Sequence, residues 1–192
     1  MLIYLHGFNS SPDSTKARLL GGVLAQAGLG ARYACPALPH LPDQAIATIE
    51  RCMAGRASAD ICFIGSSLGG FYATHLAEKH RLKAVLINPA VEPHIGLRAR
   101  LGAQRNLYTG EAYRLTEEHL RQWQRLEVPR VTPEHYLLLV ETDDEVLDYR
   151  AAVRKFRGAR QLVIQGGDHS LQSFPEQIPL ILEFAGFPPL AR

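Results

Sequence analysis

Short apolar runs alternate along this chain with stretches whose apolar residues recur every three or four positions. Leu2–Leu5 is the first run, closed by His6-Gly7 and the polar loop Asn9-Ser10-Ser11-Pro12. Leu19, Leu20, Val23, Leu24 and Ala27 then share one face of a helix that Gly28 ends. A second strand is predicted over 31–35, stopped by Pro36 and Pro39, and then a helix with the face Ile46, Ile49 and Met53 behind a cap at Asp43. Residues 60–64 are apolar on both faces, as a parallel strand covered by helices on both sides must be. Gly65 ends that run, and 68–79 reads as a helix. Runs at 84–87, 136–140 and 162–164 predict three more strands, the last followed by Gly166-Gly167. A closing helix is predicted over 176–184, its start blurred by Pro179.

Strands alternating with helices at this spacing predict a doubly wound, mostly parallel α/β sheet of about six strands, in one domain spanning 1–192. One interval breaks the rhythm. Between the fourth and fifth strands, Asn88 to His135 is far longer than a crossover needs, and it holds Tyr108-Thr109-Gly110 and the single tryptophan, Trp123. Residues 92–132 are expected to form a small cap inserted over the carboxyl edge of the sheet. That edge is where ligands bind in such folds, so the polar residues just after each strand carry the question of function.

Composition narrows the answer by exclusion. The 192 residues are 46% hydrophobic and 21% charged, the balance of a folded globule. With 21 Lys and Arg against 19 Asp and Glu, a net charge of +2 gives no electrostatic reason to expect nucleic acid or an anionic membrane. No apolar run reaches the roughly 18 residues that a membrane span needs, and the first residues lack the basic start of a signal peptide. Cys35, Cys52 and Cys62 form no CxxC pair, which suits a reduced, cytoplasmic protein. No His/Cys cluster has zinc-ligand spacing, and no metal or cofactor is implied. Nothing in these patterns selects an oligomeric state.

Four of the strand ends carry chemistry. After the third strand, Gly65-Ser66-Ser67-Leu68-Gly69 matches G-x-S-x-G, the spacing of a nucleophile elbow, in which a sharp strand-to-helix turn thrusts the serine out at a helix N-terminus. Ser67 has both flanking glycines in register, and Ser66 does not. Among eight histidines, His169 alone follows the last strand through Gly166-Gly167-Asp168, on the carboxyl edge where a base is needed. The fifth strand runs into Glu141-Thr142-Asp143-Asp144-Glu145, and one of these acids is expected to orient the histidine. The order serine, acid, histidine is the hydrolase order, though spacing alone does not choose among Asp143, Asp144 and Glu145. The amides of Leu68, after the serine, and of Phe8, in the loop after the first strand, are the candidate oxyanion donors.

HGFNSSP near the start, GSSLGGFYA at the elbow, NPAV after the fourth strand, DEVLDYR after the fifth and GGDH after the sixth resemble the YqiA/YcfP-like esterases, small bacterial members of the α/β-hydrolase superfamily. The resemblance covers essentially the whole chain. It implies an α/β-hydrolase fold with Ser67 as nucleophile, Asp144 as acid, His169 as base, and the Phe8 and Leu68 amides as the oxyanion hole. The superfamily pattern D-x-V-V-P falls on Asp144 to Asp148, which favours Asp144 over Asp143. The chain departs from its relatives at Asp143, where they carry glycine.

The expected function is a serine hydrolase cleaving small-molecule carboxylic esters, acyl thioesters included, through an acyl-enzyme on Ser67. Two alternatives use the same residues differently: an acyltransferase on the same triad, and a non-catalytic binding protein on a hydrolase fold. The stretch Leu97 to Arg105 adds one further expectation. Arg98, Arg100 and Arg105, with no acid among them, would grip an anionic group if that stretch borders the cleft, and are otherwise a solvated face.

Overall fold

The computed structural model describes residues 1–189. In chain order the elements are β1 (Leu2–Leu5), α1 (Thr15–Gln26), β2 (Tyr33–Ala34), α2 (Pro42–Met53), β3 (Cys62–Ser66), α3 (Leu68–His80), β4 (Lys83–Ile87) and α4 (Pro93–Gly96). There follow β5 (Gly102–Arg105), β6 (Ala112–Leu115), α5 (Glu117–Leu126), β7 (Tyr136–Glu141), α6 (Tyr149–Lys155), β8 (Arg160–Ile164) and α7 (Phe174–Phe184). Six strands form one parallel sheet in the order β2-β1-β3-β4-β7-β8, and β5 and β6 pair as a separate antiparallel ribbon.

Successive side chains on a strand point to opposite faces, so the sheet feeds two cores. Leu2, Tyr4, Ile64, Val85, Ile87 and Leu139 pack against α1 and α7 on one face. Ile3, Leu5, Phe63, Leu86, Leu138 and Val140 pack against α2, α3, α5 and α6 on the other. β1 has β2 on one side and β3 on the other. The chain therefore leaves β1 and β3 in opposite directions, and a crevice opens beyond their carboxyl ends.

α3 lies unusually close to the sheet. A Cβ on Gly65 would fall on the Gly69 carbonyl, and a Cβ on Gly69 would fall on the Leu5 carbonyl of β1. Both glycines are thus required by backbone approaching backbone. Gly65 does not end the strand as the pattern predicts: it pairs with Leu5 on one side and Leu86 on the other, and β3 continues to Ser66.

Other departures have equally local causes. Pro42, not Asp43, begins α2, and Asp43 sits in its first turn. There the Asp43 N–H donates to the Gln122 side chain of α5 at 3.0 Å, so a distant helix supplies the cap. α6 starts behind Asp148, whose carboxylate accepts the Arg150 N–H at 3.0 Å. The ribbon β5–β6 is too short and too polar to stand out in the sequence. It is held by the loop after β1: Tyr113 donates to the Asn9 side chain at 2.8 Å and the Asn106 side chain donates to the Ser10 carbonyl at 2.8 Å. α5 docks through Trp123, fully buried, whose indole N–H donates to the Tyr72 hydroxyl at 2.9 Å.

Stability measurements on four variants check this packing. Gly69→Ala is expected to lower the unfolding free energy by about 3 kcal/mol or more, since neither the β1 carbonyl nor the helix backbone can move aside cheaply. Gly22→Ala, on an exposed part of α1 with nothing within 4 Å of the new methyl, is expected to raise it by about 0.5–1 kcal/mol. In urea unfolding, Trp123→Phe is expected to cost about 1–3 kcal/mol or more, because it leaves the Tyr72 hydroxyl buried without a donor. The double variant with Tyr72→Phe is expected to cost less than the two single changes added together.

Candidate active site

The turn from β3 to α3 holds Ser67 at φ 54°, ψ −120°, a backbone conformation that a side-chain-bearing residue adopts only under constraint. The constraint is visible in its hydrogen bonds. The Ser67 N–H donates to the Ile87 carbonyl at 3.0 Å, and the Ser67 carbonyl accepts the N–H groups of Gly70 and Ala90 at 2.9 and 3.0 Å. The side chain is left pointing out of the turn, towards His169.

Three side chains from three strand ends meet there. His169 Nε2 lies 3.0 Å from Ser67 Oγ, and His169 Nδ1 lies 3.0 and 2.9 Å from the two Asp144 oxygens. The Asp144 side chain is 1% exposed. Burial alone would raise its carboxyl, but hydrogen bonds from His169 and from the Leu147 and Val146 amides outweigh it and hold the group below the usual aspartate range. Both amides donate to the same carboxylate oxygen at 2.8 Å. Asp143 points into solvent and takes only the Thr142 hydroxyl at 3.2 Å, while Glu145 accepts the His169 backbone N–H at 3.0 Å. Among the three acids that spacing left open, Asp144 is the one that touches the imidazole.

The loop after β1 forms the facing wall. Gly7 packs directly against Ser67: a Cβ at Gly7 would lie 3.2 Å from the serine Cβ. His6 is buried, its Nδ1 bonded to the Gly7 carbonyl at 3.1 Å and its Nε2 accepting the Leu38 N–H at 3.1 Å. Burial pushes this histidine below its usual range, so a neutral ring pins the loop. The amides of Phe8 and Leu68 donate to no other backbone or side-chain group among the described residues. A serine hydroxyl, an imidazole and a buried carboxylate thus stand in line, and the Phe8 and Leu68 amides of the adjoining turns are left without a partner among the described residues.

Ser67 and His169 open onto a cleft of about 660 Å³. Its walls are largely apolar, with Phe8, Leu19, Leu107, Tyr108, Leu171 and Phe174 among them. Leu107 and Tyr108 come from the tip of the β5–β6 ribbon. Arg98, Arg100 and Arg105 do not line this cleft. All three are exposed, and Arg98 pairs with Glu117 at 2.9 Å; the alternation along β5 turns Arg105 outward while Gln104 turns in. The solvated-face reading of these arginines is the one that fits. Lys16 is instead the cation at the cleft wall, donating to the Ser170 carbonyl at 2.6 Å.

Two further polar residues support the site without having stood out in the sequence, Glu141 and Asn88, both buried at strand ends. Glu141 reads as the first of a solvated acidic run. The signal against that reading is that it directly continues the uninterrupted apolar run of β7. Among the described residues no helix is long and apolar enough to cross a membrane, and no three His, Cys, Asp or Glu side chains are grouped to hold a metal ion.

Comparison with known proteins extends these observations. α/β hydrolase domain-containing protein 10 from mouse superposes with a TM-score of 0.75 at 15% identity, over 96% of this chain and 89% of that one. The esterase domain of a Rhodothermus marinus protein gives 0.66 at 18%, over 96% and 85%. A monoacylglycerol lipase from Paleococcus ferrophilus gives 0.65 at 16%, over 96% and 93%. Identities this low speak for the fold alone, and the fold is that of the α/β hydrolases. Residues 1–186 match the model of the family described as Uncharacterised protein family (UPF0227). The chain therefore belongs to UPF0227, the YqiA/YcfP-type esterase family that its five motifs resemble.

Proposed function

We propose that this protein is a serine hydrolase that cleaves carboxylic esters, and acyl thioesters with the same reacting carbonyl, through an acyl-enzyme on Ser67. The observation that carries the reading is the unbroken line of contacts from Ser67 Oγ to His169 Nε2 at 3.0 Å and from His169 Nδ1 to Asp144 at 2.9 Å. His169 takes the hydroxyl proton as Ser67 attacks the carbonyl carbon. Asp144 holds the ring in the tautomer with Nδ1 protonated and stabilises the imidazolium. The negative charge that develops on the carbonyl oxygen is received by the Phe8 and Leu68 amides, the second of them at the positive end of α3.

The imidazolium then returns its proton to the departing alcohol or thiol. Water, deprotonated by the same imidazole, attacks the acyl-enzyme; the bond to Ser67 Oγ breaks, the imidazolium returns the proton to that oxygen, and the carboxylic acid is released. No further group is needed for the proton and charge balance. The apolar walls of the cleft favour an uncharged acyl chain, and within residues 92–132 it is the ribbon tip, with Leu107 and Tyr108, that caps it, since α5 packs on the sheet face.

Ser67→Ala is expected to lower ester-hydrolysis kcat by about 10⁴–10⁶-fold with the fold unchanged. It is also expected to abolish labelling by a fluorophosphonate, whereas Ser66→Ala keeps both activity and labelling. Labelling that persists in Ser67→Ala and disappears in Ser66→Ala overturns the assignment. Asp144→Asn is expected to lower kcat by about 10⁴-fold by favouring the wrong tautomer. Asp143→Asn, in solvent, is expected to stay within a few-fold of the parent enzyme; equal losses at both positions would count against a single orienting acid.

A further inference from the structure

Glu141 is a buried titratable group that the reaction above does not use. It ends β7, three residues before Asp144, and is 1% exposed. A carboxylate removed from water is costly unless its oxygens are fully hydrogen-bonded. Among the described residues it forms no salt bridge with Lys or Arg. It is satisfied instead by one short stretch of chain. Oε2 accepts the N–H groups of Asp168 and Gln172 at 2.8 and 3.0 Å; Oε1 accepts the Ser173 N–H at 3.0 Å and the Ser173 hydroxyl at 2.7 Å. Burial, the largest influence, would raise this carboxyl. The bonds from Ser173, Asp168 and Gln172 outweigh it and hold the group below its usual range, so it is ionised at neutral pH. Bonds to an ionised acceptor are roughly twice as strong as neutral ones.

The stretch so gripped is the one that carries His169. Asn88, at the end of β4 with φ 39°, holds its other side. The Asn88 side-chain amide donates to the carbonyls of Asp168 and His169 at 3.0 and 3.1 Å, and its oxygen accepts the Glu141 N–H at 3.1 Å. A Cβ at Gly167 would fall on the Glu141 carboxylate, so the loop closes over the acid only because this residue is glycine. Gly166, Gly167 and Leu171 all have positive φ. Glycine takes such angles freely, but Leu171 carries a side chain and holds φ 53° only under constraint, so the loop's path needs a template. The contacts of the imidazole with Ser67 and Asp144 orient the ring; they do not set where the backbone beneath it runs.

We propose that Glu141 is a positioning residue for His169: with Asn88, it serves as the mould on which residues 168–173 are shaped so that the imidazole meets Ser67 and Asp144 together. The proposal rests on the hydrolase reading for its catalytic consequence, and its structural half stands apart from that reading. Misplacing a catalytic group by about 1 Å costs on the order of 10²-fold in rate. That is the size of loss expected when the mould is removed while every group in the reaction remains.

The test is made on the full chain with a short aryl ester. Glu141→Ala is expected to lower kcat by about 10²-fold with KM changed less than about threefold, the signature of misplacement rather than lost binding. Added formate, a carboxylate small enough for the space vacated, is expected to restore part of that loss; it should restore none in Ser67→Ala or Asp144→Asn. The downfield proton resonance of the His169–Asp144 hydrogen bond supplies a readout independent of turnover. It should be present in the parent protein and in Ser67→Ala, broadened or absent in Glu141→Ala, and recovered with formate. If the alanine variant does not fold, Glu141→Gln carries the kinetic and resonance readouts, since it keeps the volume but turns an N–H group towards N–H donors. A Glu141 variant that is merely less stable, yet keeps full kcat and the resonance when folded, overturns the proposal. If the parent protein cleaves no ester, the hydrolase reading fails, and the resonance alone still decides whether Glu141 positions His169.

Discussion

The close approach of α3 to the sheet is the constraint on which the rest of this site depends. Where the helix passes β1 and β3, backbone touches backbone, and there is no room for a side chain at Gly65 or Gly69. The chain between those two glycines must turn within the width of a strand, and Ser67 takes up the turn at φ 54°. A serine held this way cannot fold back onto its own helix as an ordinary N-cap, and indeed makes no side-chain cap bond there. Its hydroxyl is presented to whatever lies beyond the sheet edge. Stability in the core and strain at the turn are two consequences of one packing decision.

Among the described residues, what lies beyond the edge is arranged by buried carboxylates rather than by ion pairs with Lys or Arg. Asp144 is held by the amides of Val146 and Leu147, and Glu141 by those of Asp168, Gln172 and Ser173. Backbone amides are suited to this work because they carry no net charge to balance, and their direction is set by the chain path. Each carboxylate therefore keeps its charge in a half-dry setting and at the same time dictates the course of a loop. The neutral, buried His6 does the equivalent on the other wall, tying Leu38 to the loop that carries Phe8. The β5–β6 ribbon is tied to that same loop through Asn9 and Ser10, which brings Leu107 and Tyr108 to the mouth of the cleft.

Much of this was legible in the sequence, and for physical reasons. Buried parallel strands must be apolar on both faces, so the four inner strands β1, β3, β4 and β7 announced themselves as runs, and the alternation of strands with helical periodicities dictated the layered order. Ser67 was legible because the elbow demands glycines at fixed offsets, and His169 because it stands just past the last strand. The family motifs pointed to Asp144, a choice that spacing alone left open against Asp143 and Glu145.

Tertiary structure decided what depends on partners distant in the chain. The acid that reaches the imidazole is chosen by the fold of the turn after β7, where two amides capture Asp144 and leave Asp143 in water. The cap of α2 comes from Gln122, some 79 positions along the chain, which no local pattern announces. Glu141 looks like one more acid in a solvated run until the loop 168–173 closes over it. Arg98, Arg100 and Arg105 form a basic cluster in the sequence, and the turn before the ribbon and the first ribbon strand leave all three in solvent. Periodicity and motif spacing record which face of an element is dry and where the chain must bend. They do not record which loops from separate strands share one small volume, because that is settled only when the sheet has brought their ends together.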